Sequence, residues 1–370
     1  MAASHEKQPL MTTQPIAAPD GAPPPYSWKP EANYATPEQI SGADRLDGYT
    51  IAKLNAVENY GLYQGNRIGE TISCGCCANM YMITDRSRLT AVQGREQDLV
   101  ETPLWIVQEE SDLCCRVCCP QHPTMNKFYH ALPPSAGPTY CGCCYAGHQY
   151  LPDKSVPVAM TVERDGCCNK WVGCFICSDK CLSEAWLHGG DVEDGIKPGS
   201  LGNTNPRVIG RSKVPRNDCC VPHLDLFETV NGSERQYAKL TGPPCFGGCL
   251  DLCCNTPFYI NEGDTDGKVG DIGMIEKQAP KGCLDMFCQA AGDTDDYLVN
   301  LVKPGMTPVE KANVLGTAVH VDYWFFQRDV RPVRVYANGD GSGVIIITLC
   351  NMYCKGCLIP CCISIPYGKK

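Results

Sequence analysis

Cysteine is the residue type that offers the most chemistry in this chain, because 28 of its 370 residues carry a thiol. Most of the thiols stand in adjacent pairs or short groups, such as the double pair Cys114-Cys115 and Cys118-Cys119. A thiolate can bind a soft metal ion, carry a fatty acyl chain as a thioester, or stay buried as a small apolar group. The spacing of each group decides between these three chemistries.

The spacing disfavours structural zinc. Tetrahedral zinc sites use two CxxC pairs or a similar regular set of four ligands. Here adjacent pairs dominate and no such set stands out, so we do not predict zinc, and a zinc-stabilised cysteine-rich domain is kept only as an alternative. The groups between residues 120 and 260 are Cys141, Cys143 and Cys144; Cys167, Cys168, Cys174, Cys177 and Cys181; Cys219 and Cys220; and Cys245, Cys249, Cys253 and Cys254.

The overall composition excludes several classes of function. The net charge of −9 argues against a nucleic-acid partner, because phosphate binding requires a basic surface. The chain has no GxSxG elbow, P-loop or HExxH motif, and its seven histidines do not cluster with a nucleophile and an acid. Its 36 glycines and 29 prolines predict short strands with tight turns.

The N-terminal arm is predicted to be disordered. Residues 1–45 are rich in proline and lack a periodic apolar pattern, and no secretory signal is visible, so we expect a reducing compartment. Within the arm, Pro23-Pro24-Pro25-Tyr26 has the PPxY form that docks as polyproline II on aromatic grooves such as those of WW or SH3 domains. The alternative is a linker with no partner.

A helix near the C-terminus is the element that must organise the rest. Thr307-Pro308-Val309-Glu310 predicts a capped helix start, and the helix is predicted to run to Gln327. Apolar side chains occupy most of its circumference, which is typical of a helix buried inside a protein or a membrane. Because His320 and Asp322 interrupt it, we expect a protein core rather than lipid around it.

Several motifs, taken in order, resemble the phospholipid scramblase family. The CCxxCC run at residues 114–119 carries the resemblance first, and the match covers about residues 105 to 328. The resemblance implies a mainly β fold: a tubby-like closed antiparallel β-barrel around a buried C-terminal hydrophobic helix. We therefore expect a barrel domain at residues 46–328, with Asp322 as a buried structural carboxylate beside Trp324, Phe325 and Phe326. The other matching segments are residues 208–227, 242–260, 292–297 and 321–326.

The family's acidic segment implies an EF-hand-like calcium loop. Asp293 and Asp295 fall at its first and third positions, with Asp296 beside them. Leu298 stands where glycine is expected and Pro304 where an acidic ligand is expected, so any affinity should be weak, roughly 10⁻⁴ to 10⁻³ M. The alternative is a solvated acidic turn that caps a strand.

The resemblance also implies palmitoylation of a cysteine run. The family's run is tightly packed, whereas here the thiols of Cys167, Cys168, Cys174, Cys177 and Cys181 are spread among apolar residues. Acylation needs an accessible thiol near a membrane, and two or more chains give stable anchoring. The alternative is that these cysteines are buried and unmodified.

The tail beyond the resemblance, residues 329–370, is basic and rich in cysteine. Counted from Arg328, it has six basic and two acidic residues, a net charge of +4, while the remainder carries −13. Strands at 333–336 and 344–349 are predicted to form a hairpin. A membrane-spanning helix over 344–365 is the alternative, which Lys355 and Pro360 disfavour. We instead expect acylation at sites such as Cys361 and Cys362, which would attach the tail to an anionic cytoplasmic leaflet.

These observations predict a membrane-associated scramblase-like protein on the cytoplasmic face of the plasma membrane. It would move phospholipids between leaflets in both directions without ATP, with Ca²⁺ as a candidate activator, covalent palmitate as a candidate anchor and homo-oligomerisation as a candidate assembly. The alternative is a lipid-anchored adaptor that binds WW or SH3 partners through its Pro-rich arm and transports nothing.

Overall fold

The described part of the chain is mainly β-structure, as predicted. The N-terminal residues 1–44, including Pro23, Pro24 and Tyr26, lie outside it. The computed structural model describes residues 45–64, 78–86, 103–113, 122–131, 155–166, 182–192, 199–202, 207–215, 220–230, 232–263, 270–280, 286, 295–327, 332–354 and 357–368.

Twelve strands form a closed antiparallel barrel. Strand β1 (Asn59–Gln64) pairs with β2 (Met80–Asp85) on one side and with β13 (Asp296–Leu301) on the other, and this closes the sheet on itself. Closure leaves no free edge and encloses an interior that side chains must fill. The other barrel strands are β3 (Trp105–Glu110), β4 (Thr124–His130), β5 (Val158–Arg164), β6 (Glu184–Gly189), β7 (Val208–Lys213), β8 (His223–Val230), β9 (Ser233–Thr241), β11 (Thr256–Glu262) and β12 (Gly273–Lys277).

The predicted C-terminal helix fills this interior. Helix α2 (Pro308–Val321) continues into a π-helical turn, Asp322–Phe326, and its residues from Val309 onward are buried. The helix contacts β5, β6, β7, β8 and β13. Its start is the predicted capping box, in which Thr307 Oγ1 accepts from Glu310 N at 3.1 Å and Glu310 Oε2 accepts from Thr307 N at 2.7 Å.

The polar side chains of α2 are satisfied inside the barrel. Lys311 Nζ donates to two carbonyl oxygens of the short helix α1 (Gly48–Ala56) and its C-terminal cap, and Asn313 Nδ2 donates to the carbonyl of Phe227 at 2.9 Å. His320 lies between the hydroxyls of Ser183 and Ser212, at 3.0 and 2.7 Å. A buried polar group with partners costs little, so these residues are compatible with a core position.

The barrel has two ends of different composition. Strands β1, β3, β5, β7, β9 and β12 all run toward one end, and α2 finishes there as well, because Asp322 meets Tyr81 and Tyr297. We call this the cysteine end, since each of the six strand connections at this end includes cysteine in its sequence. At the opposite end only the connection from β4 to β5 does so.

The tail forms its own sheet, which pairs at the cysteine end with the connection between β9 and β11. The predicted hairpin is confirmed as β14 (Val333–Ala337) and β15 (Gly343–Cys354), and β16 (Cys357–Tyr367) pairs with the other edge of β15. The C-terminal half of β15 also pairs, at Asn351 and Met352, with the short strand β10 (Cys245–Phe246), which follows β9. A bulge at Leu349 separates the two halves of β15.

The alternative of a membrane helix over residues 344–365 is wrong, because this segment consists of two long antiparallel strands. Its run of β-branched residues favours strand over helix, and the antiparallel pairing of Cys354 with Cys357 shows that β16 runs back along β15. Among all described residues, no helix combines the length and the apolar character that crossing a bilayer would require.

Candidate functional site

A buried network of charged and polar side chains surrounds the last turn of α2 at the cysteine end. Asp322 is 2% exposed and accepts hydrogen bonds from Tyr81 Oη at 2.5 Å, Tyr297 Oη at 2.7 Å and Gln327 Nε2 at 3.1 Å. Its predicted role as a buried, hydrogen-bonded carboxylate is confirmed. Burial raises the pKa of Asp322, although the hydrogen bonds from Tyr81 and Tyr297 act in the opposite direction.

Lys277, at the end of β12, is the cation of this network. Its Nζ lies 2.6 Å from Asp251 Oδ2, 2.9 Å from Asp295 Oδ1 and 4.1 Å from the ring centroid of Phe326. Burial alone would lower the pKa of Lys277, but the attraction of the two carboxylates raises it. The ammonium group therefore stays charged inside the protein and holds two strand connections together.

Tyr297 connects this ion pair to the helix. Its hydroxyl lies 2.7 Å from Asp322 Oδ1 and 3.4 Å from Asp295 Oδ2. Burial raises the pKa of Asp295, the attraction of Lys277 lowers it, and repulsion from Asp322 and Asp251 raises it again. Three carboxyl groups thus share one ammonium group, and the state of one carboxyl affects the others.

Gln64 extends the network across the barrel. Its Oε1 accepts from the backbone N of Asp295 at 2.7 Å, and its Nε2 donates to Asn79 Oδ1 at 3.2 Å. Asn79 Nδ2 in turn donates to Tyr323 Oη at 3.1 Å, and Tyr323 donates to Asn126 Oδ1 at 3.2 Å. These four bonds link β1, β4, the residues directly before β2 and β13, and the π-helical turn.

A second cluster surrounds the carboxylate of Glu109, which contacts the backbone of Asn79. Glu109 accepts from the backbone N of Asn79 at 2.9 Å and pairs with His122 Nε2 at 2.7 Å. Burial alone would raise the pKa of Glu109, but hydrogen bonds from His122, Ser111 and Asn79 hold it at about 2. The Glu109 carboxylate is therefore ionised at neutral pH.

Arg164 completes this cluster. Its guanidinium carbon lies 4.7 Å from the ring centroid of Tyr323, and Nη2 donates to the carbonyl of His122. Within the described part of the chain, its Nε and Nη1 are buried without a hydrogen-bond partner. Burial lowers the pKa of Arg164, and the nearby Glu109 opposes that shift.

The predicted calcium ligands do not form a calcium site among the described residues. Asp295 is buried, and its two oxygens face Lys277 and Tyr297. Asp296 begins β13 and its Oδ1 accepts from the backbone N of Gln64 at 3.4 Å. Across the ranges that the structure describes, no group of three or more His, Cys, Asp or Glu side chains could hold a metal ion. Asp293 lies outside those ranges.

The aromatic end of the helix is placed as predicted. Trp324, Phe325 and Phe326 are all buried, and the two phenylalanines pack against Phe246 and Phe258 with ring centroids 5.3 to 5.8 Å apart. Phe246 belongs to β10, which pairs with the tail. The helix end, the barrel wall and the tail sheet therefore share one aromatic cluster.

The predicted lipidation sites are only partly described. In β16, Cys361 is half-buried and Cys362 is exposed, and both are free thiols. The connection from β5 to β6 holds the other predicted sites, and its flanking strands end at the cysteine end. The sites that lie outside the described residues are Cys167, Cys168, Cys174, Cys177 and Cys181.

The charged residues of the network could not be identified from the sequence. Lys277, Glu109 and Arg164 come from three separate strands, so no local spacing connects them. The available signal was a charged residue near the end of a strand, which is also typical of an exposed strand end. Only the closed barrel brings these side chains together.

No family model, no curated protein and no solved structure matches this chain.

Proposed function

We propose that this chain is a scramblase-like protein of the phospholipid membrane, with a tubby-like barrel. It would move phospholipids between leaflets in both directions without ATP, on the cytoplasmic side of the plasma membrane. The support is the closed antiparallel barrel around a buried C-terminal helix, which is the architecture that the motif resemblance implies. Palmitate on the cysteine end or the tail, and assembly with further copies, belong to the same proposal.

The observation that carries this proposal is the connection from the acidic segment to the helix. Asp295 belongs to that segment, and the Tyr297 hydroxyl connects it to Asp322 at the end of α2. A change that separates Asp295 from Lys277 would leave the Asp295 carboxylate without its cation, close to the carboxyl group of Asp322. The repulsion between the two would favour a movement of the helix end. Calcium is the candidate trigger of this change. Because the described residues form no calcium site, the exchange assay is run with and without calcium.

The alternative function is a lipid-anchored adaptor that binds WW or SH3 domains through Pro23, Pro24 and Tyr26. One observation favours it: the helix fills the barrel interior with apolar side chains, whereas a crossing headgroup needs a polar path. An adaptor has no such requirement. In the scramblase-like proposal, the path would arise from several copies or from local thinning of the bilayer.

Leaflet exchange in reconstituted liposomes tests the first function. The purified full-length chain is incorporated with a fluorescent phospholipid, and exchange is followed with and without calcium. Asp295→Asn should alter calcium-dependent exchange, whereas Asp340→Asn, on the exposed turn of the tail hairpin, should leave it unchanged. Exchange at the protein-free rate under every condition would contradict the scramblase-like function. In that case, retained capture of a WW domain that is lost in Tyr26→Ala would support the adaptor.

A further inference from the structure

The tail sheet has one continuous apolar face. Cross-strand pairing aligns Val335 with Ile345 and Ile365, then Val333 with Ile347 and Ile363, so both rows span all three strands. Beyond the bulge, the same face continues with Cys350 beside Cys361 and Met352 beside Ile359. We call this surface the tail face; its most exposed side chains, each 44% to 60% exposed, are Val333, Val335, Met352, Ile359, Ile363 and Ile365.

The opposite face of the same sheet has a different character. Near the hairpin turn it mixes the polar Arg334 and Ser364 with the apolar Val344 and Ile346, and nearer the barrel it buries Asn351 and Tyr353. This mixed face is buried at Thr348, Asn351 and Tyr353 and exposed near the hairpin turn, whereas the tail face is apolar along its whole length. Exposed apolar surfaces of this extent mark a site of contact with a protein or a membrane.

Charge around the tail face favours an anionic lipid surface. The chain carries −13 before residue 328 and +4 from there on, and four of the six basic residues of the tail flank its strands in the sequence. In the sequence, Arg331 precedes β14, Lys355 stands between β15 and β16, and Lys369 and Lys370 follow β16. An apolar surface bordered by lysine and arginine binds anionic membranes through burial and charge together.

Pairing with a second copy along the sheet edge is disfavoured. The outer edge strand β16 contains Pro360 and Pro366, and Pro332 lies just before β14. Proline has no backbone N–H to donate, so these positions interrupt the row of hydrogen bonds that an added strand would need. A partner would therefore contact the face of the tail sheet rather than add a strand to its edge.

We propose that the tail face lies on the headgroup–acyl boundary of an anionic phospholipid bilayer and orients the cysteine end of the barrel toward it. This rests on the proposed function in one respect, since the partner is again a phospholipid membrane. It goes further by naming the surface, its lipid charge preference and its orientation.

Binding of the full-length chain to vesicles tests this assignment. The vesicles are phosphatidylcholine with and without phosphatidylserine, and the protein is carried through sedimentation with them. Ile363→Asp is compared with Ser364→Asp, which adds the same charge to the next residue of β16 on the opposite face. We expect Ile363→Asp to reduce partitioning into anionic vesicles by about tenfold or more and Ser364→Asp to change it little.

A second matched pair protects the test against misfolding. Val335→Asp and Tyr336→Asp lie next to each other on β14, on opposite faces and with similar exposure. Circular dichroism and the thermal unfolding midpoint establish that each variant is folded. Equal losses within both pairs, or equal binding to neutral and anionic vesicles by the wild type, would overturn the assignment.

Sedimentation equilibrium without vesicles separates a lipid partner from a second copy. A wild-type dimer that Ile363→Asp dissociates, together with no vesicle binding, would show that the tail face is a self-association surface and overturn the proposal. Vesicle binding without leaflet exchange would leave the tail face as a membrane contact and contradict only the scramblase-like function. Leaflet exchange with undiminished binding of Ile363→Asp would contradict only the tail-face assignment.

Discussion

The hydroxyl of Tyr297 donates to Asp322 Oδ1 over 2.7 Å and thereby joins the second residue of β13 to the end of the buried helix. We predict that Tyr297→Phe destabilises the fold by about 1–3 kcal/mol, because a buried carboxyl group loses a donor without regaining water. Urea unfolding followed by tryptophan fluorescence measures this loss. Tyr336→Phe, on the exposed hairpin, is the control and should change the free energy of unfolding by no more than about 0.5 kcal/mol.

Removing the cation of the network should have a larger effect. Lys277→Met leaves Asp251 and Asp295 buried without their ammonium partner, and we expect a loss of roughly 3–5 kcal/mol in the free energy of unfolding. The double variant Lys277→Met with Asp295→Asn should recover part of that loss, since it removes one uncompensated charge. A double variant as unstable as the single one would show that the Asp295 pair contributes little.

Glu109 should make the free energy of unfolding depend on pH in the acidic range. Its pKa in the folded protein is about 2, below the ordinary value near 4.3, so its contribution is fully present above the ordinary value. As the pH falls toward 2, the unfolded chain takes up the proton first and the contribution of roughly 3 kcal/mol is lost. The stability difference between wild type and Glu109→Gln should therefore shrink between about pH 4.5 and pH 2. A constant difference over that range would contradict the pairing of Glu109 with His122.

Cys350 should react slowly with alkylating reagents. Burial, together with contact with the thiols of Cys361 and Cys245, raises its pKa to about 11. Because the thiolate is the reactive form, the rate of iodoacetamide labelling at Cys350 should keep rising well above pH 9. Peptide mass spectrometry over a pH series measures this rate, and Cys361→Ser should shift the profile to lower pH. A plateau near pH 9 in the wild type would contradict the prediction.

The two adjacent thiols of β16 should differ as acyl acceptors. Cys361 belongs to the tail face, whereas Cys362 lies on the other face, within 3.5 Å of the Thr348 hydroxyl. An acyl chain transferred from acyl-CoA to the Cys361 sulfur, with release of the CoA thiol, would enter the bilayer that the tail face contacts. Hydroxylamine-sensitive mass tagging of protein from cells should lose a tag in Cys361→Ser and retain it in Cys362→Ser. The reverse pattern would contradict the orientation of the tail.

Local signals in the sequence were sufficient for some elements of the fold. Thr307 and Glu310 predict the helix start because both capping bonds form within one turn, and the Asn338 to Gly341 turn predicts the tail hairpin for the same local reason. The nearly all-apolar helix predicts its own burial. Asp322 could be identified as a buried carboxylate, since it interrupts that apolar pattern.

Other features depend on contacts between distant residues. Barrel closure pairs Tyr60 with Val299, and no local pattern records such a pairing. Lys277 likewise pairs with Asp251, 26 residues earlier in the chain, because β11 and β12 bring the two residues together. The sequence of the acidic segment shows its carboxylates, whereas the ammonium group that pairs with Asp295 comes from a neighbouring strand.

The bulge at Leu349 changes which residues of β15 point outward. Before it, the odd-numbered residues Ile345 and Ile347 point outward; after it, the even-numbered Cys350 and Met352 do. One extra residue thus lets the same strand serve a barrel-packed half and a free half while its outward surface stays apolar throughout. If Leu349 were paired regularly like its neighbours, Cys350 and Met352 would point inward, and the strand could keep either its inner partners or its outer surface, but not both.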